Sequence, residues 1–162
     1  MKRSIIIIVC LLSLATLSYT YAQEHLKPYS IGIVVSDVAK AAQWYEEVLN
    51  LSTYKEMAFP EYDNLKIHFL EGDHIQLELV ERSTAFAIQQ HVPDYNANSA
   101  PLIGFAKIAF TVEDIQATYK RIKALKVKEV LGITKDQSFN STYFLIEDLD
   151  GNLIQFIEHG NN

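Results

Sequence analysis

The sequence predicts an α+β fold built from two consecutive βαβββ halves, chiefly because it contains an internal repeat. Alternating apolar residues that end in an aspartate occur over Ser30–Asp37 and return 77 residues later over Lys107–Asp114. The same spacing relates, without a gap, Ile31 to Ile108, Val35 to Val112, Asp37 to Asp114, Asp73 to Asp150, and Glu81 to Glu158. A register that holds over about fifty residues indicates a duplication. We therefore expect one module over residues 28–83, a connector over 84–104, and a second module over 105–159.

In each half, an alternating strand leads into an amphipathic helix. The strand Ser30–Val35 is followed by Asp37, a favourable helix N-cap, and Asp114 takes the same place in the second half. The apolar residues at helical spacing are Ala41, Trp44, Tyr45, Val48 and Leu49 in the first half, and Ile115, Tyr119, Ile122 and Leu125 in the second. This spacing predicts two helices that each lay one face on a sheet.

Short runs rich in β-formers complete each half. The expected strands cover residues 52–57, 65–70 and 75–80 in the first half, and 127–131, 143–146 and 153–157 in the second. Turn residues separate the last two strands of each half, at Glu71–His74 and at Asp150–Asn152. Three strands therefore follow each helix.

The first residues have the order of a secretory signal peptide. Lys2 and Arg3 precede an apolar run over Ile5–Leu17, and the segment ends in the small residue Ala22. The run is shorter than the roughly 20 residues of a membrane-spanning helix. We expect cleavage after Ala22, a secreted or periplasmic location, no membrane anchor, and one mature domain over residues 23–162. A retained N-terminal strand is the alternative.

Composition narrows the chemistry of the mature chain. The single cysteine, Cys10, lies inside the predicted signal peptide, so the mature chain has no thiol nucleophile, disulfide or sulfur-bound metal. The net charge is −6 and becomes −8 when Lys2 and Arg3 are removed. Because no basic cluster remains, we expect no nucleic-acid partner.

Two motifs resemble the vicinal oxygen chelate superfamily. They are Ile31–Asp37 followed by Trp44–Leu51, and Glu147–Asn152 followed by Ile154–Phe156. Members include glyoxalase I, extradiol dioxygenases, epimerases, and the bleomycin and fosfomycin resistance proteins. The resemblance implies tandem βαβββ modules whose curved mixed sheets enclose a cleft, within one chain or across a homodimer. It also implies a small-molecule ligand and a divalent metal in the cleft.

The resemblance also implies which positions would hold that metal. Carried onto this chain, the ligand positions are Ser30, Glu78, Lys107 and Gln155. Only Glu78 is a good ligand for a divalent ion, since such sites need several histidine or carboxylate groups. We therefore expect no cofactor. A site made by Glu78 and His68 is the alternative, and it requires a bulge that turns His68 towards the cleft.

The same positions predict a binding cleft. Strand alternation directs six polar side chains towards it: Ser30, Gln76, Glu78, Lys107, Thr111 and Gln155. We expect the Lys107 ammonium to replace the lost metal and to neutralise Glu78; a structural or solvent-exposed ion pair is the alternative. Two loops, the connector with Tyr95 and the polar stretch 135–142 with Phe139, either cover the cleft with a stacking ring or are solvated loops.

Three functions fit these residues. We favour an exported module that binds a small apolar or aromatic molecule without a metal, as the bleomycin resistance branch binds without turnover. The second is a lyase or isomerase, similar to lactoylglutathione lyase, with an altered metal-ligand set around Glu78. The third is a metal-independent enzyme in which Lys107 and Glu78 transfer protons on a carbonyl compound. A purely structural domain that supplies an interface is the residual case.

Overall fold

The computed structural model describes residues 28–96 and 102–160. Its elements are β1 (Ile31–Val34), α1 (Val38–Leu49), β2 (Ser52–Phe59), β3 (Leu65–Glu71), β4 (Gln76–Glu81), a 3₁₀ helix (Ile88–Gln90), β5 (Ile108–Thr111), α2 (Ile115–Ala124), β6 (Lys128–Asp136), β7 (Ser141–Glu147) and β8 (Leu153–His159). The expected signal peptide, with Cys10, lies outside the described residues.

Each half forms its own four-stranded mixed sheet. The strand orders are β1-β4-β3-β2 and β5-β8-β7-β6. The first strand of each half runs parallel to the last one, and the remaining pairs are antiparallel. The predicted α+β fold of tandem βαβββ modules is confirmed.

The repeat spacing is less uniform than the sequence predicts. First strands, helix starts and last strands are 77 residues apart, but β2 and β6, like β3 and β7, begin 76 residues apart. The turn after β3 joins the paired residues Glu71 and Gln76, whereas the turn after β7 joins Glu147 and Leu153 and is one residue longer. The expectation of a gap-free repeat is therefore wrong for the two middle strands, because turn length changed between the halves.

The duplication also extends to how each helix begins. Asp37 accepts a hydrogen bond from the Lys40 N–H at 3.0 Å, and Asp114 accepts one from the Ala117 N–H at 2.9 Å. Asp37 and Asp114 are therefore the N-cap residues of α1 and α2. A glutamate on each last strand adds a second acceptor: Glu81 to the Val38 N–H at 2.8 Å, and Glu158 to the Ile115 N–H at 2.7 Å. Each helix start is thereby tied to its own sheet.

Buried apolar residues of both halves form one continuous core between helices and sheets. Polar contacts then join the halves. The Tyr45 hydroxyl donates to Asp148 at 2.7 Å, the Ser36 N–H donates to Asp150 at 3.1 Å, and the Arg121 guanidinium donates to the Val48 carbonyl at 3.1 Å. The halves thus meet through α1, α2 and the turn after β7, and each sheet keeps an open face. No helix within the described ranges is long and apolar enough to span a membrane.

The polar stretch 135–142 is not the long loop that the sequence predicts. Strand β6 continues to Asp136 and β7 already starts at Ser141, so only four residues form the turn between them. These strand ends could not be recognised from the sequence because they contain polar residues. Such side chains are tolerated on the open face of both strands. The described part of the connector, residues 84–96 and 102–104, is a loop that includes the 3₁₀ helix and a 4.8 Å edge-on contact between the rings of Phe86 and His91.

Candidate functional site

Strand alternation separates a helix-facing side of each sheet from an open side. Leu77 and Leu79 are fully buried towards the helices, and the intervening Glu78 is half-buried on the open side. In β8, Ile154 and Phe156 face the helices and Gln155 lies between them. The register pairs Gly32 with Glu78 and Ala109 with Gln155. Glu78 and Gln155 therefore lie on the open sides of their sheets, beside Gly32 and Ala109.

The structure does not bring all six predicted side chains into one site. Lys107 and Gln155 line a pocket on the second sheet, and Ser30 and Gln76 line another on the first. Glu78 and Thr111 lie on the open faces outside both linings. Within residues 28–96 and 102–160, Lys107 and Glu78 form no ion pair, and their strands belong to different sheets.

The second-sheet pocket occupies about 370 Å³ on the open face of that sheet. It is lined by Lys107, Leu131, Asp136, Phe139, Ser141, Tyr143, Leu145, Gln155 and Ile157. Phe139, one of the two proposed stacking rings, belongs to it, and Tyr95 does not. Sequence reasoning missed Leu131, Asp136, Ser141, Tyr143 and Leu145. The alternation of Ser141, Tyr143 and Leu145 along β7 was the available signal.

Two polar side chains in this pocket have no hydrogen-bond partner in the described part of the chain. Ser141 and Gln155 are each 7% exposed. Neither side chain forms a hydrogen bond with any other residue that the structure describes. The polar atoms of both side chains reach the pocket surface, since neither is enclosed in the protein as His68 Nδ1 and Gln76 Oε1 are. Their hydrogen-bonding capacity is therefore open to a ligand.

The open face of the first sheet carries aromatic rings and carboxylates. The rings of Tyr54 and Phe69 lie 6.0 Å apart, and the Lys55 ammonium lies 5.9 Å from the centre of the Phe69 ring. Partial burial raises the pKa of the Tyr54 phenol, and Tyr29 together with the Glu71 and Glu78 carboxylates raises it further. Tyr54 thus stays a neutral hydroxyl beside Glu78, where the sequence led us to expect Lys107.

The pocket on the first sheet lies at the start of β1, beside the turn between β3 and β4. It measures about 480 Å³, and Tyr29, Ser30, His74 and Gln76 are among its lining residues. The Gln76 Oε1 atom is buried and has no hydrogen-bond partner. Ser30 and Gln76 therefore lie together, as expected, but apart from Lys107 and Gln155.

The residues do not fit a shared metal site. His68 pairs with Leu79 across the ladder, while Glu78 pairs with Phe69, so the two candidate ligands point to opposite faces of the sheet. The His68 Nδ1 atom is buried without a hydrogen bond, and its Nε2 atom lies 3.8 Å from Glu56. In the described part of the chain, no three histidine or carboxylate groups cluster around one point. That a metal is not needed stays a prediction.

Comparison with known proteins gives the same fold. The family model for the Glyoxalase/Bleomycin resistance protein/Dioxygenase superfamily matches residues 25–156. A comparison with curated proteins finds no match.

Several solved structures are similar to this one. A glyoxalase family protein from Enterococcus faecalis is 20% identical, with a TM-score of 0.69 over 82% of this chain and 97% of its own. The fosfomycin resistance protein from Listeria monocytogenes is 16% identical, with a TM-score of 0.60 over 84% and 95%. Glyoxalase I from Leishmania major is 20% identical, with a TM-score of 0.60 over 83% and 87%. At these identities, the likeness establishes the fold alone.

Proposed function

The chain belongs to the Glyoxalase/Bleomycin resistance protein/Dioxygenase superfamily, and on that premise we propose that it is an exported protein that binds a small organic molecule without a catalytic metal. The second-sheet pocket is the proposed binding site. Export is supported by the order of basic, apolar and small residues in 1–22.

The observation that carries the proposal is the pair of unpartnered polar groups inside this pocket. Ser141 and Gln155 lie at two levels of the sheet, four residues apart along the strand, and Leu131, Leu145 and Ile157 supply apolar walls to the same pocket. A ligand could exchange the water at these groups for direct hydrogen bonds, each with a net contribution of about 0.5–1.5 kcal/mol. About 370 Å³ lies within the usual range for small-molecule sites. The arrangement therefore favours specific binding over a bare apolar patch.

Neither enzymatic alternative has comparable support. Proton transfer by Lys107 and Glu78 requires both groups around one carbonyl compound, and they lie on separate sheets. A lyase that uses a metal requires several ligands around one point, and Glu78 and His68 face opposite sides of their sheet. The donor chemistry of the chain thus argues for binding.

A pair of matched variants tests the site. Leu145 and Phe69 occupy equivalent open-face positions, since Leu145 pairs with Gln155 and Phe69 pairs with Glu78. Leu145→Trp should fill the second-sheet pocket, and Phe69→Trp makes the same kind of change on the first sheet. We expect ligand-observed NMR with a library of small fragments to yield hits for the wild type and Phe69→Trp that are lost with Leu145→Trp. Hits that survive Leu145→Trp, or no hits at all, would sink the proposal.

The metal-free part of the proposal is tested on the same protein. Mature protein purified without chelators is analysed for metal by mass spectrometry, with Glu78→Gln beside it. We expect no stoichiometric divalent ion in either sample. One ion per chain in the wild type that disappears in Glu78→Gln would overturn this part and would favour the metal-dependent lyase.

A further inference from the structure

We propose that the second-sheet pocket takes an organic acid, a carboxylate attached to a flat apolar body, and that the carboxylate lies against Lys107 and Gln155. This inference rests on the proposed binding function and adds the chemical class and the orientation of the ligand. It follows from the charges around the pocket and from the order of side chains along the sheet.

The charges around the pocket leave one cation without a partner. Lys107 and Asp136 are the only charged residues in the lining. Asp136 lies at the far end of the pocket, beside Ser141, where its Oδ1 atom accepts hydrogen bonds from the Ser138 and Phe139 N–H groups at 2.9 and 3.3 Å. Lys107 forms no ion pair with any described residue.

Another acidic residue on the open face of this sheet already has a cationic partner. Glu147 lies on β7 opposite Leu153, and the Lys128 ammonium contacts its carboxylate at 2.5 Å. The net charge of the chain is −6, yet the Lys107 ammonium at the pocket has no acidic partner among the residues that the structure describes. Such a group attracts an anion and disfavours a ligand cation.

The strand register arranges the lining from a charged end to a hydroxyl end. Lys107 directly precedes β5, and Gln155 lies beside Ala109, two residues further along. Leu145 is the next neighbour of Gln155, and Ile157 pairs with Tyr143 one step beyond. Ser141 follows, opposite His159 and beside Asp136. The polar end with the ammonium is thus followed by apolar side chains and then by hydroxyl groups.

The length of this row indicates the size of the ligand. From the level of Gln155 to the level of Ser141 is four residues along the strand, or about 13 Å at ~3.3 Å per residue. A body of two fused rings with one carboxylate spans most of that distance. Its carboxylate would accept hydrogen bonds from the Lys107 ammonium and the Gln155 amide. Its rings would lie on Leu145 and Ile157 beside the exposed Phe139 ring.

Three probes of the same shape and different charge test the ligand class. They are 2-naphthoate, 2-naphthamide and 2-naphthylmethylammonium, titrated calorimetrically at low salt. A hydrogen-bonded charge pair is stronger than its neutral counterpart. We therefore expect the acid to bind about tenfold more tightly than the amide, and the cation to bind least. Equal binding of acid and amide, or no binding of the acid, overturns the inference.

Variants of Lys107 locate the charge. Lys107→Met should abolish the preference for the acid over the amide, and Lys107→Arg should keep it. Lys120→Met, an exposed lysine on α2 outside the pocket lining, is the matched control and should change nothing. A preference that survives Lys107→Met would overturn the assignment.

The two proposals can fail separately. If acid and amide bind equally and both are lost with Leu145→Trp, then the pocket binds small molecules but does not select anions. If neither neutral nor charged fragments respond to Leu145→Trp, the binding function itself fails.

Discussion

Replacing Tyr45 with phenylalanine should loosen the contact between the two halves. Tyr45 is fully buried on α1, and its hydroxyl donates to Asp148 Oδ2 at 2.7 Å. Asp148 is only 7% exposed and belongs to the turn before β8. Burial raises the pKa of Tyr45 well above its ordinary value, and the charge of Asp148 raises it further. The hydroxyl therefore keeps its proton and donates a hydrogen bond to the Asp148 carboxylate.

The expected loss of stability depends on the hydrogen bonds that the Asp148 carboxylate keeps in the variant. Three other donors remain in Tyr45→Phe: the N–H groups of Asp150 and Asn152, at 2.9 and 2.7 Å, and the Asn152 side-chain amide, at 2.8 Å. The carboxylate is thus not left bare, and phenylalanine keeps the buried ring. A hydrogen bond to a charged group contributes about 1.5–3 kcal/mol. We expect a loss of about 2 kcal/mol in the free energy of unfolding.

Urea denaturation followed by circular dichroism measures this loss, with Tyr119→Phe as the matched control. The Tyr119 hydroxyl donates to Glu129 at 2.6 Å, but this pair is exposed, and Lys123 also contacts the same carboxylate. Exposed pairs of this kind contribute about 1 kcal/mol or less. We expect the control to lose at most about 0.5 kcal/mol.

Two outcomes would refute this reasoning. If Tyr45→Phe and Tyr119→Phe lose equal stability, burial does not strengthen the Tyr45 bond. If Tyr45→Phe, Asp148→Asn and the double variant have additive effects, the two residues are not coupled across the halves, since contacting pairs normally show a coupling energy.

The remaining predictions concern acid stability and export. The hydrogen bond from Lys66 and that from the Val38 N–H lower the pKa of Glu81 below its ordinary value of 4.5. A carboxylate whose pKa is lowered by folding stabilises the folded protein above its ordinary, unfolded-state pKa. This contribution disappears as the pH falls through the lowered pKa of the folded state. Glu81→Gln should thus flatten the fall in stability below pH 4.5, whereas the exposed Glu61→Gln should not; equal pH profiles would contradict this. For export, the full chain is expressed in a secreting bacterial host, and N-terminal sequencing should show that the exported protein begins at Gln23. An intact N-terminus on protein that stays in the cytoplasm would refute the predicted signal peptide.

The elements of the fold could be predicted from local patterns in the chain. The aspartate caps at Asp37 and Asp114, the helical spacing after them and the alternation in β4 and β8 each depend on residues close in sequence. The gap in the repeat could not be read this way. Turn length shifts a strand by one residue without changing its apolar pattern, and only cross-strand pairing shows the new register.

The candidate site, too, could be predicted only in part. The side chains that face outward could be predicted from the sequence, because alternation is a property of the extended chain; Glu78, Lys107 and Gln155 were predicted in this way. Which of them share a pocket depends instead on contacts between residues far apart in the chain. Lys107 and Gln155 lie on neighbouring strands of one sheet, and Glu78 lies on another. The packing of two sheets through their helices sets that separation, and it depends on contacts such as Tyr45 to Asp148 between residues 103 apart in the chain.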